Sequence, residues 1–89
     1  MHYTVVLMPL AKRQSVRIDL WWRQYRQKAP MAFKDDLAKA LLGLEQLPDR
    51  GSLRAGGRRA LVLPRTLHLV LYHVRPRARR VEIVAITRP

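Results

Sequence analysis

Apolar positions along the chain change period twice, and the changes mark the elements. The opening run His2-Tyr3-Thr4-Val5-Val6-Leu7 is β-branched and aromatic, which predicts a strand. Pro9 closes it and suits the first turn of a helix. Ala11, Ser15, Ile18, Trp22 and Tyr25 then recur at helical spacing. That helix is expected to end near Lys28, because Pro30 turns Ala29 away from helical backbone. Phe33, Leu37, Ala40, Leu41, Leu44 and Leu47 predict a second helix beginning around Met31. Pro48 and the turn Asp49-Arg50-Gly51-Ser52 end it. The short break between the helices predicts an antiparallel hairpin.

Residues 51–57 hold three glycines and read as a mobile loop. Three strand-like runs follow, Arg58–Leu63, Leu67–Val74 and Arg79–Ile86, separated by connections of hairpin length. The order β-α-α-β-β-β over residues 1–89 describes a single α+β domain, a helical hairpin packed on a small antiparallel sheet. With Val74 paired to Arg79, one sheet face carries His68, Val70, Tyr72, Val74, Val81, Ile83 and Ala85. The other carries Leu67, Leu69, Leu71, Val84 and Ile86, with His73, Arg80 and Glu82 toward the hairpin end. A sheet open to water on one side alternates apolar with polar, and this one does not. Two helices cover one face, so either a second copy or a partner segment is expected on the other, or the strand is buried on both sides in a small twisted sheet.

Charge adds the first clue to a partner. Eighteen basic residues, fourteen of them arginine, face six acidic ones and give a net charge of +12. From Arg50 to Val81 there are nine arginines and no acid. Such a balance fits an anionic partner, either nucleic acid or an acidic protein segment, and equally a solvated arginine-rich surface. The absence of cysteine excludes disulfides, thiolate catalysis and cysteine-based metal centres. The longest apolar stretch, Leu67 to Val74, is far short of the ~20 residues of a membrane span. No basic-then-apolar leader opens the chain, so a cytoplasmic location and no membrane partner are expected.

Few residues fit a catalytic pattern. His68 and His73 are five apart on a predicted strand and point to opposite faces, so no metal site and no cofactor are expected. Asp35 and Asp36 read as the solvated start of the second helix. That helix carries Lys34 and Lys39 against Asp35, Asp36 and Glu45, which argues against a DNA-reading helix. A metal-free ribonuclease needs a base, an acid and cations around the transition state. His68, Tyr72, Arg58, Arg59 and Arg65 are of the right types, and each also fits a structural or solvated position.

Several stretches, taken in order, resemble the ParE/RelE superfamily of bacterial type II toxins. Val5-Val6-Leu7-Met8-Pro9-Leu10-Ala11 is similar to its first strand and helix entry. Leu44-Glu45-Gln46-Leu47-Pro48-Asp49-Arg50-Gly51 resembles its "LxxLPxxG" helix end. Arg59-Ala60-Leu61-Val62-Leu63-Pro64 with Leu69-Val70-Leu71-Tyr72-His73-Val74 resembles its middle hairpin, and Val81-Glu82-Ile83-Val84-Ala85-Ile86 its last strand.

The resemblance implies a toxin neutralised by a small acidic antitoxin that wraps it, within a toxin–antitoxin hetero-oligomer of the plasmid-stabilization type. RelE-like members cut messenger RNA on the ribosome, whereas ParE-like members bind DNA gyrase without catalysis. The RelE pattern implies an arginine where this chain has Leu69, and lysines near Ala60 and Val62. The ParE reading is therefore favoured, although the family's basic tail is here reduced to Thr87-Arg88-Pro89. On that reading Arg58, Arg59, Arg65 and Arg88 engage the target, and Trp21, Trp22, Tyr25 and Arg17 hold the antitoxin. The alternatives are a RelE-like nuclease using His68, Arg59, Arg65 and Tyr72, and a decayed toxin or generic basic RNA-binding domain.

Overall fold

The computed structural model describes residues 2–89. Strand β1 (Thr4–Leu7) leads into α1 (Pro9–Tyr25), with Pro9 in the first turn as expected, and α2 (Ala32–Gln46) follows. Then come β2 (Ser52–Leu53), β3 (Arg59–Val62), β4 (Leu69–Arg75) and β5 (Arg80–Thr87). The strands form one five-stranded sheet in the order β1-β5-β4-β3-β2. The predicted element order is therefore present, with one addition and one change. The glycine-bearing segment supplies β2, paired with β3, and a 3₁₀ turn over Ala55–Gly57. The sheet is mixed, because β1 runs parallel to β5 at the edge.

The parallel edge follows from the connection. A strand returning to β5 through two helices and three strands is free of hairpin geometry, and parallel pairing needs such a crossover. It places Val5 beside Val81 and Leu7 beside Ile83, so all four face the helices. α1 contributes Ala11, with Ile18 and Trp22 packed alongside, and α2 contributes Phe33, Leu37, Ala40 and Leu44. Val70, Tyr72, Val81, Ile83 and Ile86 complete this core from the sheet. Burial of side chains of this size supplies ~1.5–3 kcal/mol each, which is the main term holding so short a chain together.

The β4–β5 register differs from the one read in the sequence. Val74 pairs with Val81 and Arg75 with Arg80, so the register is shifted by two residues, with β4 reaching Arg75 and β5 starting at Arg80. A bulge then intervenes, since Tyr72 pairs with Ile83 but Leu71 with Ala85. The extra residue, Val84, switches the faces beyond it. Ile86 therefore points into the core and is 1% exposed, whereas Ala85 moves to the open face. That open face carries Leu69 and Leu71 half-buried and Val62 exposed.

A second departure concerns Asp36. It is not a solvated helix start but 5% exposed. Its Oδ2 accepts hydrogen bonds from the Arg65 N–H at 3.1 Å, the Thr66 N–H at 2.7 Å and the Thr66 hydroxyl at 2.8 Å. One carboxylate oxygen thus ties the β3–β4 connection to α2. At the other end of the sheet, the Gly51 N–H donates to the Tyr72 hydroxyl at 2.9 Å. A Cβ at Gly51 would lie 2.6 Å from that hydroxyl and 2.9 Å from the Ala60 carbonyl, so glycine is required by close approach.

Candidate functional site

α1 crosses the sheet near the C-terminal end of β5, and a groove opens between them. Its volume is about 570 Å³. Arg17, Ile18, Trp21 and Trp22 supply one wall from α1, and Thr87, Arg88 and Pro89 supply the other. The helical period explains the first wall. Ile18 and Trp22 lie on the core stripe, and Arg17 and Trp21 stand one residue earlier, on its flank. Gln14 closes the angle between the walls, its Oε1 accepting from the Ile86 N–H at 2.7 Å. That bond caps a strand N–H that has no ladder partner on this side and fixes the start of the C-terminal segment.

The aromatic groups form a contiguous cluster of edge-on and tilted rings. Trp21 meets Trp22 edge-on with ring centroids 5.9 Å apart, and lies 5.5 Å from Tyr25. The Arg26 guanidinium sits 5.1 Å from the Trp21 ring centroid. With Arg17, Arg26 and Arg88 around two indoles, the groove pairs positive charge with large flat apolar surface. This combination suits an acidic chain segment bearing apolar side chains.

His68 forms the floor, and its hydrogen bonds fix its state. An indole N–H only donates, so the Trp22 Nε1 contact at 3.3 Å makes His68 Nε2 the acceptor. The proton then lies on Nδ1, which donates to the Thr87 carbonyl at 3.1 Å. Both nitrogens are used, and the ring is 5% exposed. Burial pushes its pKa below 6.5 and the nearby Arg88 charge adds to this, against the opposing influence of the Thr87 carbonyl and Asp36. The folded protein therefore disfavours the proton that the unfolded chain takes up below about pH 6.5. Stability is complete above that value and falls as the pH drops through the window beneath it. We expect the melting temperature of the natural chain to fall more than that of His68→Gln between pH 6.5 and about pH 5. Parallel curves for the two would contradict the assignment.

The residues singled out in the sequence are partly gathered here. Arg17, Trp21 and Trp22 line the groove together, whereas Tyr25 supports Trp21 from the exposed surface. Arg88, expected among the target-binding arginines, shares the groove with them. Arg65 is exposed on the turn beside Thr66 at the same end. Arg58 and Arg59 stand at the opposite end of the sheet, where Arg59 donates to the Asp49 and Gly51 carbonyls. Tyr72 is fully buried near them, and burial raises its pKa. His68 and Arg65 are thus separated from Tyr72 and Arg59 by about four strand residues, ~13 Å. The four residues of the nuclease alternative do not share a cleft.

Gln14, Arg26 and Asp36 carry no role in the sequence reading. Asp36 does leave a signal there, because it falls three after Phe33 and four before Ala40 on the apolar stripe of α2. Among the described residues no helix is long and apolar enough to cross a membrane.

Comparison with known proteins identifies the fold. The chain is similar to a chain of the solved "Chromosomal ParDE TA system from P. aeruginosa", with a TM-score of 0.77 and 21% identity. The likeness covers 98% of this chain and 96% of that one. The ParE/RelE-like fold implied by the sequence, a helical hairpin on a sheet, is therefore the one present, with β2 as a fifth strand and β1 parallel at the edge. No protein-family model matches the sequence, and no curated protein matches it.

Proposed function

We propose that this chain is the toxin of a type II toxin–antitoxin pair, ParE-like in action, which arrests growth by binding DNA gyrase. The observation that carries the proposal is the end-to-end likeness to a chain of a ParDE system. The groove supports it, since its arginines and indoles are suited to the acidic antitoxin such a toxin needs. The open sheet face, with Val62, Leu69 and Leu71, offers a second apolar surface for the same wrapping segment. The location is cytoplasmic on this reading, and the inhibition is by binding rather than catalysis. The separation of His68 from Tyr72 and Arg59, and the two hydrogen bonds that occupy His68, weigh against an RNA-cleaving centre.

The test is induced expression in bacteria, alone and beside the neighbouring gene, scored for growth, plasmid supercoiling and messenger RNA integrity. We expect growth arrest with altered DNA topology, intact message, and rescue by the neighbouring gene. Arrest with message cut on ribosomes would replace gyrase by the RelE-like activity. Unimpaired growth would oppose an active toxin.

A further inference from the structure

The end of the sheet remote from the groove holds a second concentration of charge. β3 and β5 begin there and β4 ends there, so two connections emerge side by side. The β2–β3 connection carries Arg54 and Arg58, held together by the Arg54 N–H to Arg58 carbonyl bond at 2.7 Å. The β4–β5 hairpin carries Arg75, Arg77, Arg79 and Arg80. Glu82 is the carboxylate engaged there, and it binds Arg75 at 2.9 Å and Arg80 at 2.8 Å. These bonds hold the Glu82 carboxyl below its ordinary pKa range and leave its two arginines splayed across the hairpin base. Among the described residues, Arg54, Arg58, Arg77 and Arg79 have no carboxylate within salt-bridge distance.

Arg79 adds an independent observation. Its φ is 48°, in the left-handed region that glycine and asparagine occupy with little strain. An arginine there is locally unfavourable, and the turn alone does not call for it. Arg79 is exposed on the same four-residue turn that carries Arg77.

The partner's class follows from what this end lacks. The clustered aromatic surface of Trp21, Trp22 and Tyr25 belongs to α1, at the groove. Tyr3 and Tyr72, the aromatic residues nearer the arginines, are packed against or into the core. His2 and His73 are the remaining rings there, and neither pairs with another aromatic group, so among the described residues no continuous aromatic platform for unstacked bases is offered at the arginine end. Leu53 is the one large exposed apolar residue on the two connections and their flanks, too little for the buried anchor of a protein interface. What remains is charge on a two-stranded ribbon. The major groove of B-form DNA is about 12 Å wide and admits such a ribbon, with phosphates on both rims. In A-form RNA that groove is deep and too narrow for side chains.

We propose that the β4–β5 hairpin tip and the adjoining Arg54–Arg58 loop form a binding surface for the phosphate backbone of duplex DNA. The surface lies about seven strand residues from the groove along β5, ~23 Å, so an acidic segment in the groove leaves it accessible. The inference rests on this charge distribution and not on the gyrase reading, and its test uses no gyrase.

The purified chain is titrated into a labelled short DNA duplex over a range of salt concentrations, with fluorescence anisotropy as readout. The natural chain is compared with Arg77→Ala/Arg79→Gly and with the charge-matched Lys12→Ala/Arg13→Ala on the exposed face of α1. We expect the hairpin pair to weaken binding at least about tenfold and to reduce the salt slope by about two, one for each phosphate no longer neutralised. The α1 pair should weaken it less than about twofold, through screened long-range charge alone. Arg79→Gly by itself should keep or raise the melting temperature while weakening binding, which separates phosphate recognition from folding. Equal losses in the two pairs would overturn the proposal, because binding would then follow net charge. Equal or tighter binding of a matched RNA duplex, or of polyglutamate, would overturn the assignment to duplex DNA.

Discussion

Replacing Asp36 with alanine is expected to destabilise the domain by about 3 kcal/mol, the largest stability effect of any single polar truncation in this fold. Its Oδ2 alone accepts three hydrogen bonds, two of them from the buried Thr66. Bonds to a carboxylate contribute ~1.5–3 kcal/mol each, and a buried donor left alone costs ~1–3 kcal/mol. Water reaching the part-buried Arg65 N–H offsets some of that loss. A chain of this length has a total stability of roughly 5–13 kcal/mol, so the variant is left near its folding limit. The melting temperature should fall by ~12–24 °C, read by far-ultraviolet circular dichroism. Asp36→Asn keeps an acceptor of the same shape and should lose less. A fall under about 5 °C in the alanine variant would mean that Asp36 merely fills space.

That the largest polar contribution sits at Asp36 also shows where the sequence is legible. The α2 stripe is plain from Phe33, Leu37, Ala40 and Leu44, and all four are buried. The same period places Asp36 on the buried side, but an aspartate just past the first turn, next to Asp35, normally faces water near the positive end of the helix dipole. Only the Thr66 donors, thirty residues away, reverse that expectation. The Val84 bulge is equally hidden. Alternation along Val81–Ile86 is compatible with either face for Ile86, and one inserted residue decides it. The parallel placement of β1 also depends on a long connection that leaves no local pattern. By contrast, Pro9, Pro30 and Pro48 act through backbone geometry alone, and they locate the helix limits to within about three residues.

The site is legible as residue types but not as a place. Trp21 and Trp22 stand out in the sequence as a pair with one member off the core stripe, and they do line the groove. Arg88 and His68 join them only because β5 runs out beside α1, which a one-dimensional pattern does not reveal. The arginines divide similarly. In sequence they form one acid-free run from Arg50 to Val81, but the fold sends Arg65 to the groove end and Arg54, Arg58, Arg77 and Arg79 to the other. A single basic tract thus becomes two surfaces of different chemistry, one with aromatic groups and one without.

This division makes the function separable by mutation, and the groove gives the larger effect. On the toxin reading proposed above, Trp21→Ala with Arg17→Glu and Arg26→Glu is expected to abolish rescue by the antitoxin while leaving growth arrest intact. Trp21 is a flat anchor stiffened by Trp22, Tyr25 and Arg26, and truncating such an anchor costs ~2 kcal/mol or more of binding free energy. Each reversed arginine replaces an attraction to an acidic segment with a repulsion. Together the three changes should weaken the complex by at least about a thousandfold, or ~4 kcal/mol. Arg17 and Arg26 are exposed and Trp21 is outside the core, so the fold should survive, as an unchanged circular dichroism spectrum would show. The measurement is the dissociation constant of the co-purified pair, alongside colony counts with and without the antitoxin. Retained rescue would remove the antitoxin from the groove. Loss of both rescue and toxicity in a folded variant would instead place the target there, since the two ends of the sheet would then no longer divide the work.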